Sequence, residues 1–155
     1  MYKKGVSLFT RLFKPRAPLP SVVHPLFGEM QAVLDYGNEM YFWEVNAPLE
    51  TRLGSLEPTF DAPADGPTTD QTNRWHRILG RAEEYVLAAR ELLIENMAGF
   101  RHETMIDELE LVSIDFYDRP DCTFEWGLGF ELQSEGFVYT VLFAGDEPRA
   151  VTVDS

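Results

Sequence analysis

The stretch NRWHRILGRAEEYVLAARELLIENM, residues 73–97, decides the fold. Its apolar side chains Trp75, Ile78, Leu79, Ala82, Tyr85, Val86, Ala89, Leu92, Leu93 and Met97 recur at three- and four-residue intervals, which lines one face of an α-helix. Arg74, Arg77, Arg81, Glu84, Glu91 and Glu95 fall off that stripe. Thr68, Thr69 and Asp70 offer side-chain acceptors to the first free backbone N–H groups, and Gly99 tolerates the positive φ of a helix end. The spacing therefore predicts one long amphipathic helix, about 40 Å at roughly 1.5 Å per residue, whose apolar stripe must be covered.

Strand patterns flank it. Met30, Ala32 and Leu34 alternate, as do Tyr41, Trp43 and Val45, on either side of a turn-rich segment at residues 35–38, which predicts a hairpin. Leu49, Thr51 and Leu53 suggest a third short strand, and residues 54–69, with Pro58, Pro63, Gly66 and Pro67, read as a crossover loop. After the helix, residues 109–117 are strand-like with a slip of apolar phase between Leu111 and Val112, the signature of a bulge or of burial on both faces. Cys122, Phe124, Trp126, Leu128, Phe130 and Leu132 then alternate strictly with smaller or polar residues. Strands at residues 137–143 and around Val151 and Val153 complete a four-strand meander. A helix with one apolar stripe and strands with one apolar face bury each other. The predicted class is α+β, a curved antiparallel sheet of about three strands, one long helix and about four strands, with the helix across one face. Gly127 and Gly129 in mid-strand imply a bend or a close neighbour.

The chain of 155 residues carries a formal charge of -13. Residues 1–20 hold Lys3, Lys4, Arg11, Lys14 and Arg16 and no acid, so residues 21–155 carry -18, and no lysine follows Lys14. Two regions are expected: a basic, proline-ended tail at residues 1–20 and a single α+β domain at residues 21–155. In the tail, Phe9, Arg11, Phe13 and Lys14 would contact a partner or, weakly, a membrane surface. A body so acidic repels phosphate backbones, which argues against nucleic acid, and it steers basic proteins toward itself. Cys122 is the sole cysteine, which excludes an internal disulfide framework, and no apolar run reaches the roughly 18 residues of a membrane span. These features lead us to expect a cytoplasmic protein.

Chemistry-bearing residues are sparse. His24, His76 and His102 are far apart in sequence, and His76 at the start of the predicted helix and His102 just past its end would lie roughly 40 Å apart and cannot share a metal ion. Carboxylates remain: Glu103, Asp107, Glu108 and Glu110 cluster before one strand, and Asp115, Asp118 and Asp121 lie at or near its exit. We expect Glu103, Asp107, Glu108, Asp115, Asp118 and Asp121 to face a basic partner, with no catalytic residue, metal or cofactor. The alternative is a small hydrolase or divalent-metal-dependent enzyme using the carboxylates of residues 103–121. Trp43, Trp75 and Trp126 fit core positions.

His24-Pro25-Leu26-Phe27-Gly28, the hairpin ending at Trp43, the long helix, Leu109-x-Leu111-x-Ser113-Ile114 and the ending at residues 143–154 together resemble small acidic bacterial proteins of unknown function. Some of those are candidate immunity proteins of contact-dependent toxin systems. The similarity runs over roughly residues 24–154. It implies a non-catalytic binding domain that neutralises or carries a basic protein partner such as a toxin, and it assigns no catalytic residue.

Overall fold

The structure, a computed structural model, describes residues 18–97 and 103–154, so the expectations for Phe9, Arg11, Phe13 and Lys14 lie outside the described residues. Six strands come first: β1 (Ser21–His24), β2 (Gly28–Gly37), β3 (Met40–Val45), β4 (Leu49–Thr51), β5 (Gly54–Leu56) and β6 (Thr59–Ala62). Two helices follow, α1 (Thr69–Gly80) and α2 (Ala82–Met97), then a 3-10 segment (Glu103–Glu108). The chain closes with β7 (Glu110–Phe116), β8 (Trp126–Leu132), β9 (Phe137–Ala144) and β10 (Glu147–Asp154).

The expected arrangement of three strands, one helix and four strands is corrected on three points. Eight strands form one sheet in the order β1-β2-β3-β6-β7-β8-β9-β10, with β4 and β5 as a separate hairpin. That sheet is mixed, because β6 and β7 pair in parallel through Thr59↔Asp115 and Phe60↔Phe116 while every other pair is antiparallel. A parallel pair needs a long crossover, and the helices supply it. β6 escaped the sequence reading because it is only four residues long, between Pro58 and Pro63, so its alternation is too short to stand out from the proline-rich segment around it.

The third correction is to the helix, which is two helices. Thr68 caps α1, its Oγ1 accepting from the Gln71 N–H (3.2 Å) while the Gln71 Oε1 accepts from the Thr68 N–H (2.9 Å). At Arg81 the backbone leaves helical values (φ -120°, ψ 23°). Gly80, with no side chain to hold the turn, precedes the break. The Arg81 side chain fixes the new direction by binding Glu84 (2.8 Å) and Asp146 (3.1 Å) in the β9–β10 turn. The apolar stripe still faces the sheet across the break. Trp75, Ile78, Ala82, Tyr85, Ala89, Leu93 and Met97 are buried, whereas Val86 is only half-buried.

One core layer lies between helices and sheet. Phe27, Trp43, Phe60, Phe116, Trp126 and Phe143 meet there, with Phe60 stacked on Phe116 (5.0 Å, 3°) and Trp126 on Phe143 (4.0 Å, 17°). The β2–β3 turn is built on Asn38 (φ 54°) and Glu39 (φ 60°), two consecutive positive φ values of the kind that match a right-twisted hairpin. In β8, only Trp126–Leu132 pairs as strand, so the alternation at residues 122–124 belongs to the preceding turn. The phase slip near Leu111 is a register shift between Leu111 and Ser113 against β8.

Two adjacent residues of α2 test this layering. Leu93 is fully buried and Ile94 is 55% exposed. Leu93→Ala should cost about 2–5 kcal/mol in chemical denaturation, and Ile94→Ala less than about 0.5 kcal/mol.

Candidate functional site: the uncovered face of the sheet

Because side chains alternate along a strand, the residues between the core positions project from the face opposite the helices. Register places Glu44, Thr59, Asp115, Gly127 and Leu142 in one row across β3, β6, β7, β8 and β9. Asp115 sits mid-row. Thr59 Oγ1 donates to its Oδ1 (2.8 Å) and Ser113 Oγ donates to its Oδ2 (3.1 Å). Only 9% of Asp115 is exposed. Burial pushes its carboxyl up to about 6, the negative charge of Asp61 adds to the rise, and the two hydroxyls oppose it.

The mid-strand glycines admit close neighbours. A Cβ on Gly129 would lie 2.1 Å from Ser113 Oγ, and one on Gly127 would lie 3.0 Å from Thr140 Cγ2 and 3.2 Å from the Tyr117 ring. Their bare backbone lets Ser113 and Tyr117 lie down on β8. Above this floor runs a groove of about 360 Å³ lined by Glu44, Glu57, Thr59, Ser113, Asp115 and Val138, among others.

A second cavity, about 350 Å³, opens beside Tyr36, Asn38, Met40, Arg119, Pro120 and Asp121. Arg119 lies over the Tyr36 ring (4.6 Å) and its Nε is 3.3 Å from the Oδ2 of Asp61, which is 2% exposed. Neither atom makes a well-directed hydrogen bond, so charge holds this pair together. Burial raises the Asp61 carboxyl, and Tyr36 and Arg119 pull it back down. Burial and the neighbouring Asp61 push the Tyr36 phenol up to about 12.

The six carboxylates expected to act together are dispersed. Asp107 and Glu108 are exposed on the 3-10 segment, and the side chain of Glu103 lies outside what the structure describes. Asp121 borders the Tyr36 cavity, whereas Asp115 floors the groove. Asp118 is turned toward α1, accepting from Arg74 Nη1 (2.8 Å) and from Gln71 Nε2 (2.6 Å). Gln71 Nε2 also reaches the Asp61 carbonyl (2.7 Å), and Arg74 donates to the Glu125 carbonyl (3.0 Å) while lying over Phe116. This bracket ties the start of α1 to the carboxyl ends of β6 and β7. Among the described residues, no three His, Cys, Asp or Glu side chains converge closely enough to hold a metal ion. Tyr36, Glu44, Glu57, Thr59, Asp61 and Ser113 are the site residues that sequence reasoning missed. Gly127 and Gly129 were the available signal, since they mark where a neighbour approaches the sheet.

Among the described residues, most arginines are spent inside the chain. Arg52 pairs with Glu83, Arg74 with Asp118, Arg81 with Glu84 and Asp146, Arg119 with Asp61 and Arg149 with Glu147. Arg90 donates to the carbonyls of Ile106 and Leu109. Comparison with protein-family models, curated proteins and solved structures finds no match. Among the described residues, no helix is long and apolar enough to cross a membrane.

The Asp115 environment has a pH signature. Folding raises its pKa from 3.8 to about 6, so the unfolded chain releases that proton first. The stability it contributes is full below about pH 3.8 and is lost as pH rises through about 6, an effect of roughly 3 kcal/mol. Asp61 titrates in the same sense, so the contribution is isolated by difference: over this window Asp115→Asn should gain roughly that much relative to the parent chain in urea denaturation series. Parallel curves would remove the carboxylate from its buried site.

Proposed function

We propose that this chain is a non-catalytic binding domain for a basic protein partner, of the kind that neutralises a toxin, and that it engages the partner with the face the helices leave uncovered. The observation that supports this most is the pairing of a groove lined by Glu44, Glu57 and Asp115 with arginines that, for most of those among the described residues, are already committed to the chain's own acids and carbonyls. Its outward field is thus negative where a concave surface is available, which favours encounter with a cationic partner. Leu34, Met40, Phe42 and Val138 add apolar area on that face, and Leu34 is 51% exposed. Interfaces are commonly built this way, with an apolar centre inside a charged rim.

A second reading, a small hydrolase, is favoured by one observation: a carboxyl near pKa 6 hydrogen-bonded to a serine hydroxyl resembles a poised general base. The binding reading accounts for more of the face, because the surrounding groups are further acids rather than donors that would stabilise a developing oxyanion.

Site-specific photocrosslinking in the producing cell tests the proposal. A photoreactive residue at Phe42, on the uncovered face, should capture a basic protein. One at Glu91, exposed on α2, should not. A toxin-neutralising role further requires that expression of the captured protein be harmful and that co-expression of this chain relieve the harm. Capture from position 91 alone, or of an acidic protein, would contradict the proposal.

A further inference from the structure

We propose that the groove over Asp115 seats one arginine or lysine side chain of the basic partner, its cationic head against the Asp115 carboxylate and its stem between Glu44 and Glu57. The inference rests on the reading of the chain as a binder of basic protein and names the anchor that such a partner brings.

Three observations carry it. First, Asp115 is nine-tenths buried, yet among the described residues it meets only two neutral hydroxyl donors, Thr59 and Ser113. Each of its oxygens accepts one of these bonds, and a carboxylate offers about four lone-pair sites, so each oxygen retains capacity for another donor. A guanidinium fork matches that vacancy with two parallel N–H groups, and an ammonium fills it with one.

Second, among the described residues none supplies a cation to this carboxylate. The charged and titratable groups facing it are Glu44 from β3, Glu57 from the β5–β6 link, Asp61 from β6 and Tyr117 just after β7, all acids. From β8 come Gly127 and Gly129, and from β9 Val138 and Thr140, none of them charged. The arginines of the same region are occupied, Arg119 by Asp61 and Arg74 by Asp118. Burying a carboxylate among acids is costly unless a cation relieves it.

Third, the groove is shaped for a side chain. It is open to solvent above, is walled by two exposed glutamates and has Thr59, Ser113 and Asp115 along its lining. A cation arriving there returns Asp115 to its charged form and thus releases a proton from molecules that held one.

The test uses the full chain and an amidated octapeptide of alternating arginine and serine with an N-terminal fluorescein, read by anisotropy at about 0.15 M salt, where remote surface charges are largely screened. Asp115→Asn should weaken binding by about tenfold or more, as expected when one partner of a buried ion pair is removed. Glu44→Arg, which places the chain's own cation at the groove, should weaken it comparably and serves should Asp115→Asn perturb folding. The control Glu91→Gln/Glu95→Gln removes two exposed charges from α2 and should change affinity by less than about twofold. Calorimetry near pH 6 in buffers of different ionisation enthalpy should show proton release by the parent chain and none by Asp115→Asn. Equal weakening by Asp115→Asn and the α2 control, unchanged binding by Glu44→Arg, or no binding by the parent chain would each overturn the anchor. The photocrosslinking result at Phe42 judges the wider reading independently, so the two failures are distinguishable.

Discussion

The two antiparallel halves of the sheet meet at a seam only two register pairs long, Thr59↔Asp115 and Phe60↔Phe116. So short a parallel ladder has little strength of its own, and its flanks reinforce it. On the helix side, Phe60 stacks on Phe116. On the other side, Thr59 binds Asp115. At the carboxyl ends of both strands, Gln71 and Arg74 of α1 grip Asp118, and Gln71 also holds the Asp61 carbonyl. Arg74 is buried to 9% exposure, so removing Asp118 would strand a guanidinium in a poorly solvated place. The seam, the capping box at Thr68 and the start of the crossover are therefore one mechanical unit.

The same constraint produces the candidate site. Both helices belong to the one crossover between β6 and β7, and they cover a single face of the sheet. The opposite face is left with short, polar or absent side chains at its middle, where Asp61 and Asp115 come from neighbouring parallel strands. Buried acids beside a seam destabilise it when charged, and the raised pKa values of both carboxyls record that tension. A structural role alone would be met more cheaply by Asn or Thr. Among the described residues Asp115 is buried, has no cationic partner and borders the groove, which is the ground for the cation anchor proposed above.

Much of the architecture was legible in the sequence where a pattern ran long enough to be periodic. Alternation in residues 126–132 and 137–143 marked core strands, the helical stripe marked the face that α1 and α2 bury, and Trp43, Trp75 and Trp126 are all buried in that core. What escaped was short or interrupted. β6 has only four residues, between Pro58 and Pro63, and the break at Gly80 and Arg81 is hidden because the apolar stripe continues through it. Missing β6 meant missing the parallel seam, and with it the row that joins Glu44 and Thr59 to Asp115. A linear reading could gather residues 103–121 by proximity in sequence, but strand alternation and the turn after β7 send Asp115, Asp118 and Asp121 to three different surroundings.

The central claim is that the bracket around Asp118 holds the β6–β7 seam, and native-state hydrogen exchange measured strand by strand tests it most directly. In Asp118→Ala the amides of β6 and β7 should lose protection by a larger free energy than those of β9 and β10, by about 2 kcal/mol or more, because the seam opens while the C-terminal hairpin stays closed. Equal loss across all strands, or protection of β6 and β7 unchanged from the parent chain, would contradict the account.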